Sequence, residues 1–360
     1  MIDPIQLTRQ LVDIESTTYH EAPAGEFLAS YLDALGYVIT RQPVPHPDAA
    51  TPGAGPQHGS MEPRFNVYAV PRELAEQGTV PALVFSTHMD TVPPFLGACR
   101  EDATHLHGRG TCDAKGIIAA QIAAAEQLRA RSVSVGLLFV VGEERDSAGA
   151  KVANDIAATW SVKPRFLING EPTDNRLALA SKGALRVELF AHGRAAHSAY
   201  PELGESAIDK LLGALHDIQA LPLPIIEGIG DSTLNVGLIS GGRAPNVIAD
   251  KAEAHLLIRL VGPAEETKAA IVAAAAGRCA VVFSLELPFV QMRAFPGFET
   301  MVAKFTTDIP ALTHWGEPFL LGPGSIHVAH TPAETIAKQE LLDCVTLYVN
   351  LATELAGEAA

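Results

Sequence analysis

The stretch Val133-Ser-Val-Gly-Leu-Leu-Phe-Val-Val-Gly-Glu143-Glu144 is an apolar run that stops on two adjacent carboxylates. A run of this kind, rich in Val and Leu and closed by Gly, reads as a strand buried on both faces. Two further runs repeat the pattern: Ala82 to Ser86 leads into His88, and Arg165 to Ile168 leads to Glu171. Helical stretches such as Ile117 to Ala130 lie between them. Short strands alternating with helices predict parallel βαβ units, and ligands of such sheets gather beyond the carboxyl ends of the strands. The acids and histidines stand at those ends.

Outward from this centre, Met1 to Ser16 spaces Ile5, Leu11, Val12 and Ile14 as a helix does, without the basic start and apolar core of a signal peptide. Pro43 to Pro63, dense in Pro, Gly, His and Ala, reads as a surface loop. From Lys182 the texture changes. Strand-like runs at Ala184 to Ala191, Thr233 to Ile239, Ala252 to Leu260 and Ala280 to Leu287 alternate with helical patterns at Glu205 to Leu221 and Ala264 to Gly277. This βαββαβ order fits a small sheet covered on one face by two helices. After Phe295 come a helical pattern at Glu299 to Asp308, a Gly-rich loop at Gly322 to Gly324, His330, and a final helix expected from Thr331 to Gly357.

The expected fold is therefore α/β. A mostly parallel mixed sheet with helices on both faces forms a discontinuous catalytic domain of residues 1–181 and 293–360. An α+β domain of residues 182–292 is inserted into it. At 360 residues, two domains is also what length predicts.

Composition narrows the function classes. A content of 48% apolar and 19% charged residues is that of a globular chain with a sizeable core, not a disordered one. A formal charge of −15 with no run of Lys or Arg argues against a nucleic-acid partner. No stretch approaches about 18 uninterrupted apolar residues, so no membrane span is expected. The four cysteines, Cys99, Cys112, Cys279 and Cys344, form no close pairs, which fits a reducing cytoplasm and excludes a thiolate zinc site.

The chemistry lies in several short segments. His88-Met89-Asp90 pairs an imidazole with a carboxylate able to fix its tautomer. Asp113 sits in the Gly-punctuated loop Gly108 to Gly116, where it is either a bridge between two cations or a helix cap. That loop has neither the Walker spacing nor the dinucleotide fingerprint, which disfavours a nucleotide enzyme. Glu143 and Glu144 side by side raise one another's pKa unless a cation lies near them, and they allow one acid to bind the ion while its neighbour takes a proton from water. Glu171-Pro172-Thr173 and Ala329-His330 offer one more carboxylate and one more imidazole. Each segment alone reads equally well as a solvated turn. Taken together, nitrogen and oxygen donors without thiolate suit zinc, with cobalt or manganese as substitutes.

In this order, the segments Ser86 to Asp90, Gly108 to Gly116, Gly142-Glu143-Glu144, Glu171-Pro172-Thr173, Gly193 to Pro201 and Ala329 to Glu334 resemble a two-zinc metallohydrolase family. Its members include acetylornithine deacetylase, succinyl-diaminopimelate desuccinylase, aminoacylase and glutamate carboxypeptidase. The resemblance implies His88 and Glu171 on one ion, Glu144 and His330 on the other, Asp113 bridging them, Asp90 behind His88, and Glu143 as the acid and base. It also implies a cis peptide at Asp113-Ala114, an oxyanion donor in His197, and substrate contacts from Asn246 and Arg259. The inserted domain would act as a lid and mediate a homodimer.

Two departures from the family pattern stand out: Gly142 where many members carry Asp, and Ser206 where many carry Asn. His327 has no assigned role. The expected activity is metal-dependent hydrolysis of an amide in an N-acyl amino acid or small peptide. Ser181-Lys182-Gly183 inclines it toward the acetylornithine deacetylase branch. The alternatives are desuccinylase-like or carboxypeptidase-like hydrolysis, or a non-catalytic metal or ligand binder on the same fold.

Overall fold

The computed structural model describes residues 2–47 and 63–359. The chain forms two compact units, one of Met1–Ala178, Met292–Met301 and Thr307–Ala360, the other of Leu179–Gln291 and Val302–Thr306.

The first unit is built on a six-stranded sheet in the order Tyr37–Val44, Arg64–Pro71, Gly136–Val140, Leu83–His88, Phe166–Asn169, Glu317–Leu320. Its first two contacts are antiparallel and the remaining three parallel, so the sheet is mixed and mostly parallel. Strand alternation sends Phe85, Leu137, Phe139, Ile168 and Phe319 to one face. There they meet helix Lys115–Arg129 and the C-terminal helix Lys338–Ala359. Val84, Leu138, Val140 and Leu167 point the other way, onto Ala150, Ala153 and Ala157 of helix Ala148–Ala158 and onto Trp315. Helix Lys115–Arg129 is buried nearly all round, and its alanines let neighbouring elements approach closely.

The second unit holds a four-stranded antiparallel sheet in the order Thr233–Gly241, Lys251–Leu260, Gly183–His192, Cys279–Leu287. Helices Ala207–Gln219 and Glu265–Ala275 contribute Leu211, Leu215, Ile218 and Ile271 to its core, against Leu185, Val187, Leu189, Leu256 and Ile258 of the sheet.

Three sequence expectations change. The last helix begins at Lys338, because Thr335–Ala337 is a strand paired with His105–His107 and buries Ile336 there. The stretch expected as a helix from Glu299 to Asp308 holds a strand, Thr300–Ala303, followed by the short 3-10 turn Ile309–Ala311. Its period was too short to separate helix from strand, and β-branched residues favour the strand. Of the expected loop from Pro43 to Pro63, Pro43 and Val44 close a strand, and residues 48–62 lie outside the described residues. Among the described residues no helix is long and apolar enough to cross a membrane.

Candidate metal centre

The site lies at the carboxyl ends of the parallel strands of the first unit. His88 is the last residue of Leu83–His88, Glu143 and Glu144 follow Gly136–Val140, and Glu171 follows Phe166–Asn169. Asp113 closes the loop that precedes helix Lys115–Arg129, and the Asp113–Ala114 peptide is cis, as the resemblance implies. His330 sits at φ 63° in the turn before the Thr335–Ala337 strand.

These residues form two donor sets: His88, Asp113 and Glu171, and Asp113, Glu144 and His330. Within each, one ligand atom per residue lies within 4.8 Å of the others. Asp113 belongs to both, with Oδ1 at 2.9 Å from His88 Nε2 and Oδ2 at 3.2 Å from His330 Nε2. His330 Nε2 is also 3.0 Å from Glu144 Oε2.

Burial raises the carboxyls of Glu143 and Glu171 well above the usual range, and mutual repulsion with neighbouring acids adds to it. Glu144 is raised by burial against a hydrogen bond from His330. Asp113 is also pushed up by burial, but its contacts with His330 and His88 outweigh this and hold it low. Burial pulls His88 down, and its bond to Asp113 more than reverses that, so it rises well above the ordinary imidazole value. His330 is raised to about 10, chiefly by Asp113 and then by Glu144. The imidazoles and carboxylates thus offset one another's charge within each donor set. Divalent cations supply the same offset, and the nitrogen and oxygen donors fit them.

Asp90 differs from expectation in what it holds. His88 Nδ1 is 2.8 Å from the Asp90 main-chain carbonyl, while the nearer carboxylate oxygen is 3.7 Å away. That carboxylate instead accepts the backbone N–H groups of Gly142, Glu143 and Glu144 at 2.9, 3.1 and 3.3 Å, with the Thr18 hydroxyl at 2.9 Å. Asp90 therefore fixes the imidazole through its backbone and the acid pair through its side chain.

Two groups escaped the sequence reading. Arg64 is buried against Glu21 at 2.7 Å and lies over the Tyr19 ring at 4.9 Å. Its Nη2 sits 2.6 Å from where a Cβ on Gly142 would lie, and Gly142 has φ 81°. A side chain at 142 would crowd that guanidinium and strain the left-handed backbone, so glycine is favoured there. Asp308 is 1% exposed, its Oδ1 has no hydrogen-bond partner, and burial raises it to about 6. Nothing in the local sequence separates either from an ordinary surface charge.

In the second unit, His197 and Asn246 are exposed and adjoin, since Ser198 N–H donates to the Asn246 carbonyl at 2.9 Å and His197 bridges to Val247. Arg259 is half-buried on strand Lys251–Leu260, and burial lowers its pKa. Ser206 caps helix Ala207–Gln219 by accepting from Asp209 N–H at 3.1 Å, a task Asn performs equally well. His327 is exposed and outside both donor sets.

Residues 84–354 match the sequence profile of peptidase family M20/M25/M40. The chain belongs to that family. A protein of Aspergillus terreus named a probable carboxypeptidase is 37% identical over 375 residues, covering 95% of this M20 chain and 84% of its own. A tripeptidase of Staphylococcus aureus shares the fold with a TM-score of 0.75 at 20% identity, covering 97% of this chain and 98% of its own. A dinuclear metal-binding peptidase of the M20 family from Bacillus subtilis gives 0.68 at 16% identity, covering 98% of this chain and 97% of its own. The M20 chain is thus a metal-dependent hydrolase of the peptidase class, and its donor sets suit divalent ions.

Proposed function

We propose that the protein is a two-metal peptidase that cleaves the amide bond of a small peptide, with carboxypeptidase action as the first choice. The observation that carries this reading is Asp113, shared by two complete three-residue donor sets. The name of the Aspergillus relative supports the choice of peptide over N-acyl amino acid. Ser181-Lys182-Gly183 gives the deacetylase branch little support. The Ser181 hydroxyl donates to the Phe305 carbonyl at 2.8 Å and the Lys182 ammonium to the Asp231 carbonyl, so local packing accounts for both side chains.

His88, Glu171, Glu144 and His330, with Asp113 between them, would hold the two ions, zinc first and cobalt or manganese as substitutes. The chemistry such ions supply is Lewis acidity, which polarises an amide carbonyl and makes water easier to deprotonate. Glu143 is outside both donor sets and part-buried beside them. Its place beside but outside the donor sets suits a group that takes a proton from the attacking water and returns it to the leaving amine nitrogen. Asp90 holds Glu143 and Glu144 at a constant spacing through their backbone N–H groups. The family resemblance gives His197 the oxyanion, and Asn246 and Arg259 the substrate, a guanidinium being well shaped for a carboxylate.

The test is a rate panel of dipeptides, tripeptides and N-acyl amino acids in zinc, cobalt and manganese. Peptide hydrolysis above that of N-acyl substrates is the expected outcome. Faster cleavage of N-acetyl or N-succinyl amino acids would return the reading to the deacylases, and stoichiometric metal with no hydrolysis would make the protein a binder. The second unit is proposed as the dimerising element, because Leu238 and Ile239 of its edge strand Thr233–Gly241 are exposed. Light scattering at the mass of one chain would reject that.

A further inference from the structure

Shortly beyond His330 in the chain stands Glu334, 1% exposed. Its Oε1 accepts the backbone N–H groups of Gly110, Cys112 and Asp113 at 2.8, 3.3 and 3.2 Å. Its Oε2 takes Arg109 Nη1 at 2.6 Å. Arg109 also donates to the Thr331 carbonyl at 3.3 Å, and Gly108 N–H donates to the Glu334 carbonyl at 3.1 Å. The same two segments continue as the antiparallel pair of His105–His107 with Thr335–Ala337. Every one of these contacts ties the loop ending in Asp113 to the segment beginning at His330.

The arrangement asks for an explanation beyond stability. A buried ion pair is weak evidence for stability, since apolar groups of similar volume often serve as well. The Arg109 and Glu334 side chains are 3% and 0% exposed, so neither meets a substrate. Nor does Glu334 cap helix Lys115–Arg129, because the N–H groups it accepts belong to residues 110, 112 and 113, which precede it. What the carboxylate does hold is the backbone of Asp113, whose two oxygens must reach His88 and His330 at once. Groups that orient a metal ligand in this way typically contribute 10–100-fold to metal affinity or activity.

We infer that Glu334, paired with Arg109, is a positioning residue that sets the register between Asp113 and His330 and so completes the donor set Asp113, Glu144 and His330. The inference rests on the proposed reading of those residues as metal ligands. The other set depends on it less. His88 is held by its strand and by the Asp90 carbonyl, and Glu171 by the end of the neighbouring strand. Loss of the clasp therefore acts first on the set Asp113, Glu144 and His330.

The experiment is a zinc titration of the full-length chain after chelator stripping, read by calorimetry, with wild type, Glu334→Ala, Glu334→Gln and Leu28→Ala compared. Leu28 is a core residue of the same unit that does not belong to the clasp. Wild type should take up two equivalents. Glu334→Ala should keep one of them within about threefold and weaken the other by roughly 10–100-fold. Glu334→Gln should fall between, because its amide oxygen still accepts from the loop while Arg109 loses its anion; it also keeps the test alive if the alanine variant does not fold. Leu28→Ala should melt lower and bind both ions as wild type does. Unchanged affinity in both Glu334 variants overturns the clasp, as does an equal loss in Leu28→Ala. Wild type that binds fewer than two ions overturns the ligand reading itself, and the clasp with it.

Discussion

Two loops bring carboxylates to this site, and each is wrapped round a buried acid that collects three backbone N–H groups. Residues 142–144 bind Asp90, and residues 110–113 bind Glu334. The acids differ in their counter-charge. Asp90 receives main-chain donors and the Thr18 hydroxyl, with the His88 ring nitrogen no nearer than 3.7 Å, whereas Glu334 has the Arg109 guanidinium at 2.6 Å. Arg64, which is buried behind the first loop, is paired with Glu21 instead. The loop that carries Asp113 is therefore closed by a buried ion pair, while the loop that carries Glu143 and Glu144 is closed on an acid with no guanidinium partner. Glu21 and Asp308 are both raised, first by burial and then in part by Asp90.

The difference can be probed from the largest effect to the smallest. Glu143→Gln should lower kcat by roughly 10²–10⁴-fold while metal content stays at the wild-type value. Turnover near wild type would show that the first loop carries no proton-transfer group. Asp90→Ala strands three backbone N–H groups and should cost roughly 10–100-fold in activity, with metal content as a second readout. If Asp90→Ala is silent while Glu334→Ala is not, the likeness between the two loops fails.

Smaller effects concern the space behind the first loop. Gly142→Ala places a Cβ against Arg64 on a left-handed backbone and should destabilise the fold by about 1–3 kcal/mol in urea unfolding. An unchanged midpoint would mean that Arg64 moves aside freely. The last prediction is a slope. Glu21 is raised from 4.5 to about 7, first by burial and then by Asp90. The native state then binds the proton more tightly than the unfolded chain, so stability should fall as pH rises from 4.5 to about 7. One group contributes at most about 1.4 kcal/mol per pH unit to that slope. Glu21→Gln should remove this contribution from unfolding curves measured across the range, and an identical slope in the variant would assign it elsewhere.

Much of this was legible along the chain. Apolar runs ending in polar residues give buried strands whichever partner they find, so the sheet and the ends that carry His88, Glu144 and Glu171 could be read locally. The order of the inserted βαββαβ elements could be read for the same reason. Short segments were less secure: Thr335–Ala337 becomes a strand because His105–His107 is there to pair with it. Ser206 illustrates a departure with no cost, since a hydroxyl caps a helix as an amide does.

What the sequence determined by itself is the set of donor types, their order, and the strand ends from which most of them project, because these follow from local hydrophobic pattern and residue chemistry. Which groups hold those donors in place was decided only by the tertiary structure. Asp90 turned out to hold a loop 52 residues away, and Glu334 one 221 residues away, through backbone N–H groups that leave no mark on composition. Arg64 likewise fills the space at Gly142 from another strand. Hydrogen bonds to main-chain amides are indifferent to side-chain identity, so only the folded chain brings the buried acids to the loops they hold.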